Sequence, residues 1–268
     1  MGIFLFSILF LSSCTNEQEE EQENIIQENS TSILNQTDNL HLQKSENKTI
    51  EVDKFTFYKN NYQAKNVYDK IVDNYGNGHE ALYGTRNFRP VLHGVLYRGG
   101  ANNYYHRTLK RDNHNPLSED GLDNLCQEGF ALAVYLYQAN FITASKIKTC
   151  QTKEKTNMLN YIQKDYNDDI DVVYLIQTVH KNIQDQTAGP IYIHCWNGWH
   201  ASGYISAIML RQFCGYSSSE GVKYWDIATD GSNDHDLYNL IRQKIKDFIP
   251  MTQYQIDNEL RQKICPEK

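Results

Sequence analysis

The sequence has no surplus of positive charge: 26 Lys and Arg stand against 33 Asp and Glu, a formal net charge of −7. That excludes a strongly basic nucleic-acid binder, which needs Lys and Arg to neutralise phosphates. No internal repeat marks a solenoid. The apolar run that opens the chain, residues 1–10, is too short to span a bilayer as a permanent helix. None of the six cysteines forms a Cys-x-x-Cys pair, so a structural zinc knuckle is not expected. What remains is ordinary: 40% hydrophobic and 22% charged residues, the composition of a globular protein rather than a wholly disordered one.

The charge is unevenly spread. Eight acids and two lysines fall within residues 15–49, so that stretch holds −6 of the −7 and the rest of the chain is near neutral. It follows Leu11-Ser12-Ser13-Cys14, which ends the apolar run and resembles the lipobox of bacterial lipoproteins. The resemblance implies lipidation of Cys14, a signal over 1–14, and an anchored extracytoplasmic protein at the outer membrane or cell surface. One departure is the lack of Lys or Arg ahead of the apolar run. A secretion signal that happens to contain a cysteine, or a buried helix, is the plainer alternative. The acidic, Gln-rich residues 15–48 cannot pack in a core and read as a flexible tether, reaching some tens of Å by ~5–6 Å × √n. With Cys14 and Cys195 assigned, Cys126, Cys150, Cys214 and Cys265 remain. An oxidising compartment lets some of them pair, and spacing does not say which.

Residues 49–268, roughly 220 of them, suit one domain. Residues 91–98 read as a strand and turn running into Gly99-Gly100. Ser118 is placed to cap a helix over the following residues, with Leu122, Leu125 and Cys126 on one face. Apolar residues 130–137 suit a central strand, 157–164 the next one, and 191–194 a short buried strand. Residues 171–180 have helical periodicity behind an acidic start. Beyond Ser217 the chain is mostly helical, with Leu237, Leu240, Ile241, Ile245 and Phe248 at amphipathic spacing. This order predicts an α/β fold: a central sheet flanked by helices, with a helical C-terminal part.

The most informative stretch is Ile191-Tyr192-Ile193-His194-Cys195-Trp196-Asn197-Gly198-Trp199-His200-Ala201-Ser202-Gly203, followed by an apolar helix over 204–213. A strand delivers a cysteine into a tight, glycine-containing loop that opens directly into a helix. Successive backbone N–H groups and the helix N-terminus then converge on one point, which makes an anion cradle. The same field favours thiolate over thiol at Cys195, as covalent phosphoryl transfer requires.

This segment resembles the signature loop of the protein tyrosine and dual-specificity phosphatase superfamily: His-Cys, two variable residues, Gly, two variable residues, Arg, Ser or Thr, Gly. His194, Cys195, Gly198, Ser202 and Gly203 match it. Residues 96–102 resemble the Tyr-Arg-Gly turn before the first αβ unit of many bacterial members, and Arg211 and residues 220–224 resemble the helices after the loop. The likeness spans roughly residues 90–230. It implies a cysteine-phosphatase fold, catalysis by Cys195 through a phosphocysteine, support of the thiolate by His194, and help from Ser202 when the thiolate leaves. It also implies ligand binding by Trp196, Asn197, Gly198, Trp199, His200, Ala201 and Gly203. No cofactor or metal is expected. The expected partners are a phosphorylated protein or a small phosphorylated metabolite, together with the membrane.

One departure weighs most. The signature arginine belongs six residues after the cysteine, where this chain has Ala201. A methyl group cannot perform the bidentate clamp of a guanidinium. Its loss should cost on the order of 10²–10³ in rate or more. His200, one position earlier, is a candidate substitute cation, and Trp196 and Trp199 form either an aromatic platform for a ring-bearing or sugar ligand or plain packing. The family's general acid stands about 30 residues ahead of the cysteine; Asp165 fits that spacing, while Asp168 and Asp169 compete with it or cap a helix. Arg98 reads as structural rather than catalytic. The main alternative is a pseudophosphatase that binds a phosphorylated or other anionic ligand with little turnover. A cysteine hydrolase or thiol-transfer enzyme, and a metal site at His194, Cys195 and His200, are minor readings.

Overall fold

The computed structural model describes residues 52–110 and 115–268; Cys14 and the tether lie outside the described residues. A hairpin leads the sheet. Strand β1 (Thr85–Leu92) turns through His93 and Gly94 into β2 (Leu96–Ala101), so the strand and turn expected at 91–98 are the tip of a longer pair. Pro90 is tolerated because β1 is an edge strand. Strands β3 (Leu132–Tyr135), β4 (Ile147–Gln151), β5 (Thr156–Gln163) and β6 (Ile191–His194) complete a six-stranded sheet in the order β1-β2-β6-β3-β5-β4. The four inner strands are parallel, and β1 and β4 pair antiparallel at the two edges. The α/β sheet expected from the sequence is present.

Among the described residues eight α-helices accompany it: α1 (Lys54–Tyr62), the single turn α2 (Tyr105–Thr108), α3 (Glu119–Gln127), α4 (Asp169–Gln184), α5 (His200–Cys214), α6 (Ser218–Ala228), α7 (Tyr238–Asp247) and α8 (Asn258–Ile264). Ser118 caps α3 as its position predicts, its hydroxyl accepting the Gly121 N–H at 3.2 Å. Helix α4 runs longer than its apolar pattern, because Asp168 caps it and a polar turn extends it. Two elements were missed. Edge strand β4 alternates only between exposed and half-buried residues, too weak a pattern to mark a strand. Helix α1 buries Phe55, Tyr58 and Tyr62, a helical spacing hidden among Lys and Asn.

Alternation along the strands sorts the core into two faces. Leu96, Val134, Ile191 and Ile193 join residues of α4, α5 and the C-terminal helices; Tyr97, Ala133, Tyr135 and Tyr192 join α1 and α3. Helix α5 is enclosed almost all round, with Ile205, Ile208, Met209, Leu210 and Phe213 fully buried. Truncating one of these to Ala costs about 2–5 kcal/mol. Disulfides Cys126–Cys150 and Cys214–Cys265 staple α3 to β4 and the end of α5 to the end of α8. Their separations of 24 and 51 residues correspond to about 3.5 and 4 kcal/mol of chain-entropy stabilisation.

The register fixes where chemistry can occur. Gly99 of β2 and Tyr135 of β3 both lie beside His194, the last residue of β6. Cys195 therefore leaves the sheet at the carboxyl ends of three parallel strands, where open α/β sheets leave a crevice.

Candidate active site

Strand β6 brings His194 into full burial among the rings of Tyr135, Tyr161 and Tyr192, 5.2 to 5.7 Å away and nearly parallel. Its Nδ1 lies 3.1 Å from the Cys195 carbonyl and its Nε2 lies 2.8 Å from the Tyr161 hydroxyl. A carbonyl only accepts, so Nδ1 carries the proton. Nε2 then accepts from Tyr161, whose oxygen in turn accepts the Leu117 N–H at 2.9 Å. Burial pushes the imidazole down to about 4, while the bond to the Cys195 carbonyl pulls the other way; the ring is neutral. Both nitrogens are committed, which leaves neither to a metal.

Cys195 is buried and is the free cysteine among the described residues. Its Sγ lies 3.5 Å from the Ser202 hydroxyl, which is also 3.3 Å from the Gly99 carbonyl. Ser202 therefore has one hydrogen to share between a backbone oxygen and the sulfur.

The loop after Cys195 is held by its carbonyls. The Trp196 carbonyl accepts from Ala101 N–H at 3.0 Å, and Asn87 Nδ2 donates to the Gly198 carbonyl at 3.1 Å and the Asn197 carbonyl at 3.4 Å. The buried Arg98 guanidinium donates to the carbonyls of Gly198 and Trp199, and to Tyr224. With these oxygens drawn to the outside, the opposite edges of the peptides turn inward. None of the amides of Gly198, Trp199, His200, Ala201 or Ser202 donates to a protein acceptor among the described residues. Unpartnered amides beside the N-terminus of α5 are what an anion cradle at this loop would require.

Two glycines make this possible. Gly198 has φ +74°, and a Cβ there would lie 2.5 Å from the Gly99 carbonyl carbon. A Cβ on Gly100 would lie 2.4 Å from the Trp196 oxygen. Any side chain at either position pushes the loop off the sheet.

A polar brace surrounds the loop. Arg86 reaches Asn197 Oδ1 at 3.2 Å and lies over the Trp199 ring. The Trp199 indole N–H donates to Asp230, which also takes Arg89, Lys70 and Asn74 at 2.8 to 2.9 Å. Burial alone would raise the Asp230 carboxyl, but its hydrogen bonds with Asn74 and Lys70 and the Arg89 charge hold it down at about 2.

Over Cys195 opens a cavity of about 510 Å³. It is lined by Cys195, Ala201, Trp196, Asn197, Trp199 and His200, by Tyr137, Tyr166, Asn167 and Asn115, and by Leu237 with three residues of α7, including Tyr238. No Lys, Arg, Asp or Glu lines it among the described residues. Ala201 is buried and lines this cavity at the position where the sequence pattern expects an arginine.

The remaining candidates are dispersed. Asp165 does not line the cavity, although Tyr166 and Asn167 beside it do. Its carboxylate accepts Gln138 Nε2 at 2.7 Å and the Asn167 N–H at 2.8 Å. Asp168 caps α4, accepting the Ile170 N–H, and Asp169 begins that helix in solvent. Gly203 lies behind the loop, allowing α5 to approach Trp225 and Arg98. His200 lines the cavity with its Nε2 turned to the Ser232 carbonyl, 2.5 Å away. Sequence reasoning missed Asn87, Tyr161 and Tyr238. Asn87 has no motif around it, and its φ of +49° becomes visible only in the fold.

No protein-family model matches the sequence, and a search of curated proteins finds no match. Among solved structures, the chain is similar to the core catalytic domain of the PP-IP phosphatase Siw14 from S. cerevisiae in complex with citrate. The identity is 16% over 66% of this chain and 90% of that one, with a TM-score of 0.37. It is similar also to another structure of the Siw14 catalytic core, at 13% identity over 66% and 88%, TM-score 0.37.

Proposed function

We propose that this protein is a membrane-anchored, extracytoplasmic cysteine phosphatase of the protein tyrosine and dual-specificity type, hydrolysing phosphate monoesters through a phosphocysteine on Cys195. The observation that supports the reading is the loop after Cys195, whose Trp196, Asn197, Gly198 and Trp199 carbonyls are captured by other parts of the chain, while the amides of 198–202 have no protein acceptor among the described residues and are available to an anion. Those amides and the α5 dipole favour a dianionic phosphate and the charge that builds on it in the transition state. Sγ attacks phosphorus, the P–O bond to the leaving group breaks, and water then releases phosphate while Ser202 stabilises the departing thiolate. The cavity beyond the cradle lacks cationic side chains among its described residues, which favours a phosphorylated protein side chain or a small metabolite with a single phosphate over a polyphosphate.

Two disulfides support an oxidising compartment, and the lipobox-like Leu11-Ser12-Ser13-Cys14 supports an anchor at Cys14. A second reading, a binding protein with little turnover, is favoured by Ala201 at the arginine position. The two separate in one assay. Purified protein should release phosphate from p-nitrophenyl phosphate, and Cys195→Ser should abolish release while still binding phosphate or vanadate. Protection of Cys195 from alkylation by vanadate without turnover would support the binding protein. Neither protection nor turnover would refute both readings.

A further inference from the structure

We infer that His200 is the proton-transferring residue of the Cys195 site, giving a proton to the leaving oxygen and taking one from the water that frees phosphate. The inference rests on the hydrolase reading above. A phosphate ester with a poor leaving group needs an acid at the departing oxygen. No carboxylate lines the cavity among the described residues, and the carboxylates nearest in sequence are committed or exposed: Asp165 to Gln138 and Asn167, Asp168 to the α4 cap. Apart from Cys195, the described lining groups able to carry a proton are His200 and the phenols of Tyr137, Tyr166 and Tyr238. A phenol holds its proton too tightly to cycle easily near neutral pH, whereas imidazole exchanges one there.

His200 is also oriented. The Ser232 carbonyl can only accept, so Nε2 carries a hydrogen, and Nδ1 has no protein partner among the described residues. The ring stacks on Tyr238 with centroids 4.2 Å apart and planes 18° from parallel. Trp225 and Trp199 pack their rings 6.1 and 6.2 Å away, and the Trp225 indole N–H donates to the His200 carbonyl at 3.2 Å. One nitrogen fixed by a backbone acceptor and the other without a protein partner among the described residues, on a side chain that lines a cavity shared with a nucleophile, suit a positioned acid–base group. Burial foremost lowers the proton affinity of the ring; the Ser232 bond opposes this and the Arg98 charge adds to it, so the free site favours the neutral imidazole and the dianionic substrate has to draw in the proton that the first step uses.

The protons balance. In the first half, Sγ bonds to phosphorus, the P–O pair stays on the leaving oxygen, and that oxygen takes the Nδ1 proton of the imidazolium. In the second half, neutral Nδ1 takes a proton from water as its oxygen bonds to phosphorus. The P–S pair returns to Sγ, phosphate leaves, and the imidazolium is restored.

The test compares leaving groups in the full protein. With His200→Gln, release from phenyl phosphate should fall about 10²–10⁴-fold. Release from p-nitrophenyl phosphate, whose leaving oxygen needs no acid, should fall far less. His200→Ala should recover phenyl phosphate turnover when imidazole is added to the buffer. Equal losses on both esters, with no imidazole rescue, would mean that His200 only shapes the loop, and would overturn the inference. So would a leaving-group dependence steepened by Asp165→Asn but not by His200→Gln. No turnover of either ester by the wild type would instead remove the hydrolase reading on which the inference stands.

Discussion

Asn87→Asp replaces one NH₂ by oxygen and tests how the cradle is held. Asn87 Nδ2 donates to the carbonyls of Gly198 and Asn197, while Oδ1 accepts Arg89 Nε and Nη2 at 2.9 and 2.7 Å. In the variant, the Arg89 side gains a carboxylate, and a hydrogen bond to a charged group is worth about 1.5–3 kcal/mol. The loop side loses two neutral bonds of about 1 kcal/mol each and places a carboxylate oxygen against two carbonyl oxygens. These terms nearly offset, so global stability should change by no more than about 2 kcal/mol. The cradle should not survive equally well. Without Asn87 the Gly198 carbonyl keeps only Arg98 as donor and meets a repelling carboxylate, so the peptide between Gly198 and Trp199 tilts more readily and its Trp199 N–H moves off the anion. Losing one amide-to-anion bond of about 1.5–3 kcal/mol predicts a 10- to 100-fold weaker Kd for vanadate or phosphate. Affinity is read by protection of Cys195 from alkylation, and stability by urea unfolding. An unchanged Kd with unchanged stability would refute the claim that captured carbonyls set the amide direction. A large stability loss with matching affinity loss would show that Asn87 holds the fold rather than the cradle.

Restoring the missing side chain by Ala201→Arg should raise aryl phosphate turnover on the order of 10²-fold, because position 201 lines the cavity; an unchanged or lower rate would show that the cavity cannot seat a guanidinium there. Acid should destabilise the domain through its neutral buried histidines. Burial lowers His93 and His194 to about 4, the Lys59 charge adding to the effect at His93. An unfolded histidine takes its proton near 6.5, so unfolding binds up to two extra protons between pH 6.5 and 4, and stability falls as pH drops through that window. The limit is about 3 kcal/mol per histidine. His93 Nε2 has no hydrogen-bond partner among the described residues, so His93→Leu should flatten the urea-unfolding pH dependence by about half; an unaltered slope would exclude His93 as a source.

Much of the fold was legible because its elements carry local signals. Ser118 capped its helix, and the apolar runs at 130–137 and 191–194 contain the inner parallel strands β3 and β6, since strands buried on both faces are continuously hydrophobic. Strand β4 was hidden because an edge strand half in solvent has no such run. At the site, strand, cysteine, glycine-bearing loop and helix were readable in order, because an anion cradle is built from consecutive residues. Its supports were not. Asn87 is 111 residues from Gly198, and Arg98 is 100.

By itself, then, the sequence determined the α/β pattern, the placing of Cys195 between a strand and a glycine-bearing loop, the concentration of negative charge in residues 15–48, and an alanine at position 201. All of these are properties of neighbouring residues. The tertiary structure decided which groups turn the loop carbonyls outward, that no described carboxylate reaches the cavity, and that His200 shares it with Cys195. It also paired the four remaining cysteines, Cys126 with Cys150 and Cys214 with Cys265. Those outcomes depend on contacts between distant segments, which form only when parallel strand pairing brings the ends of β2, β3 and β6 side by side.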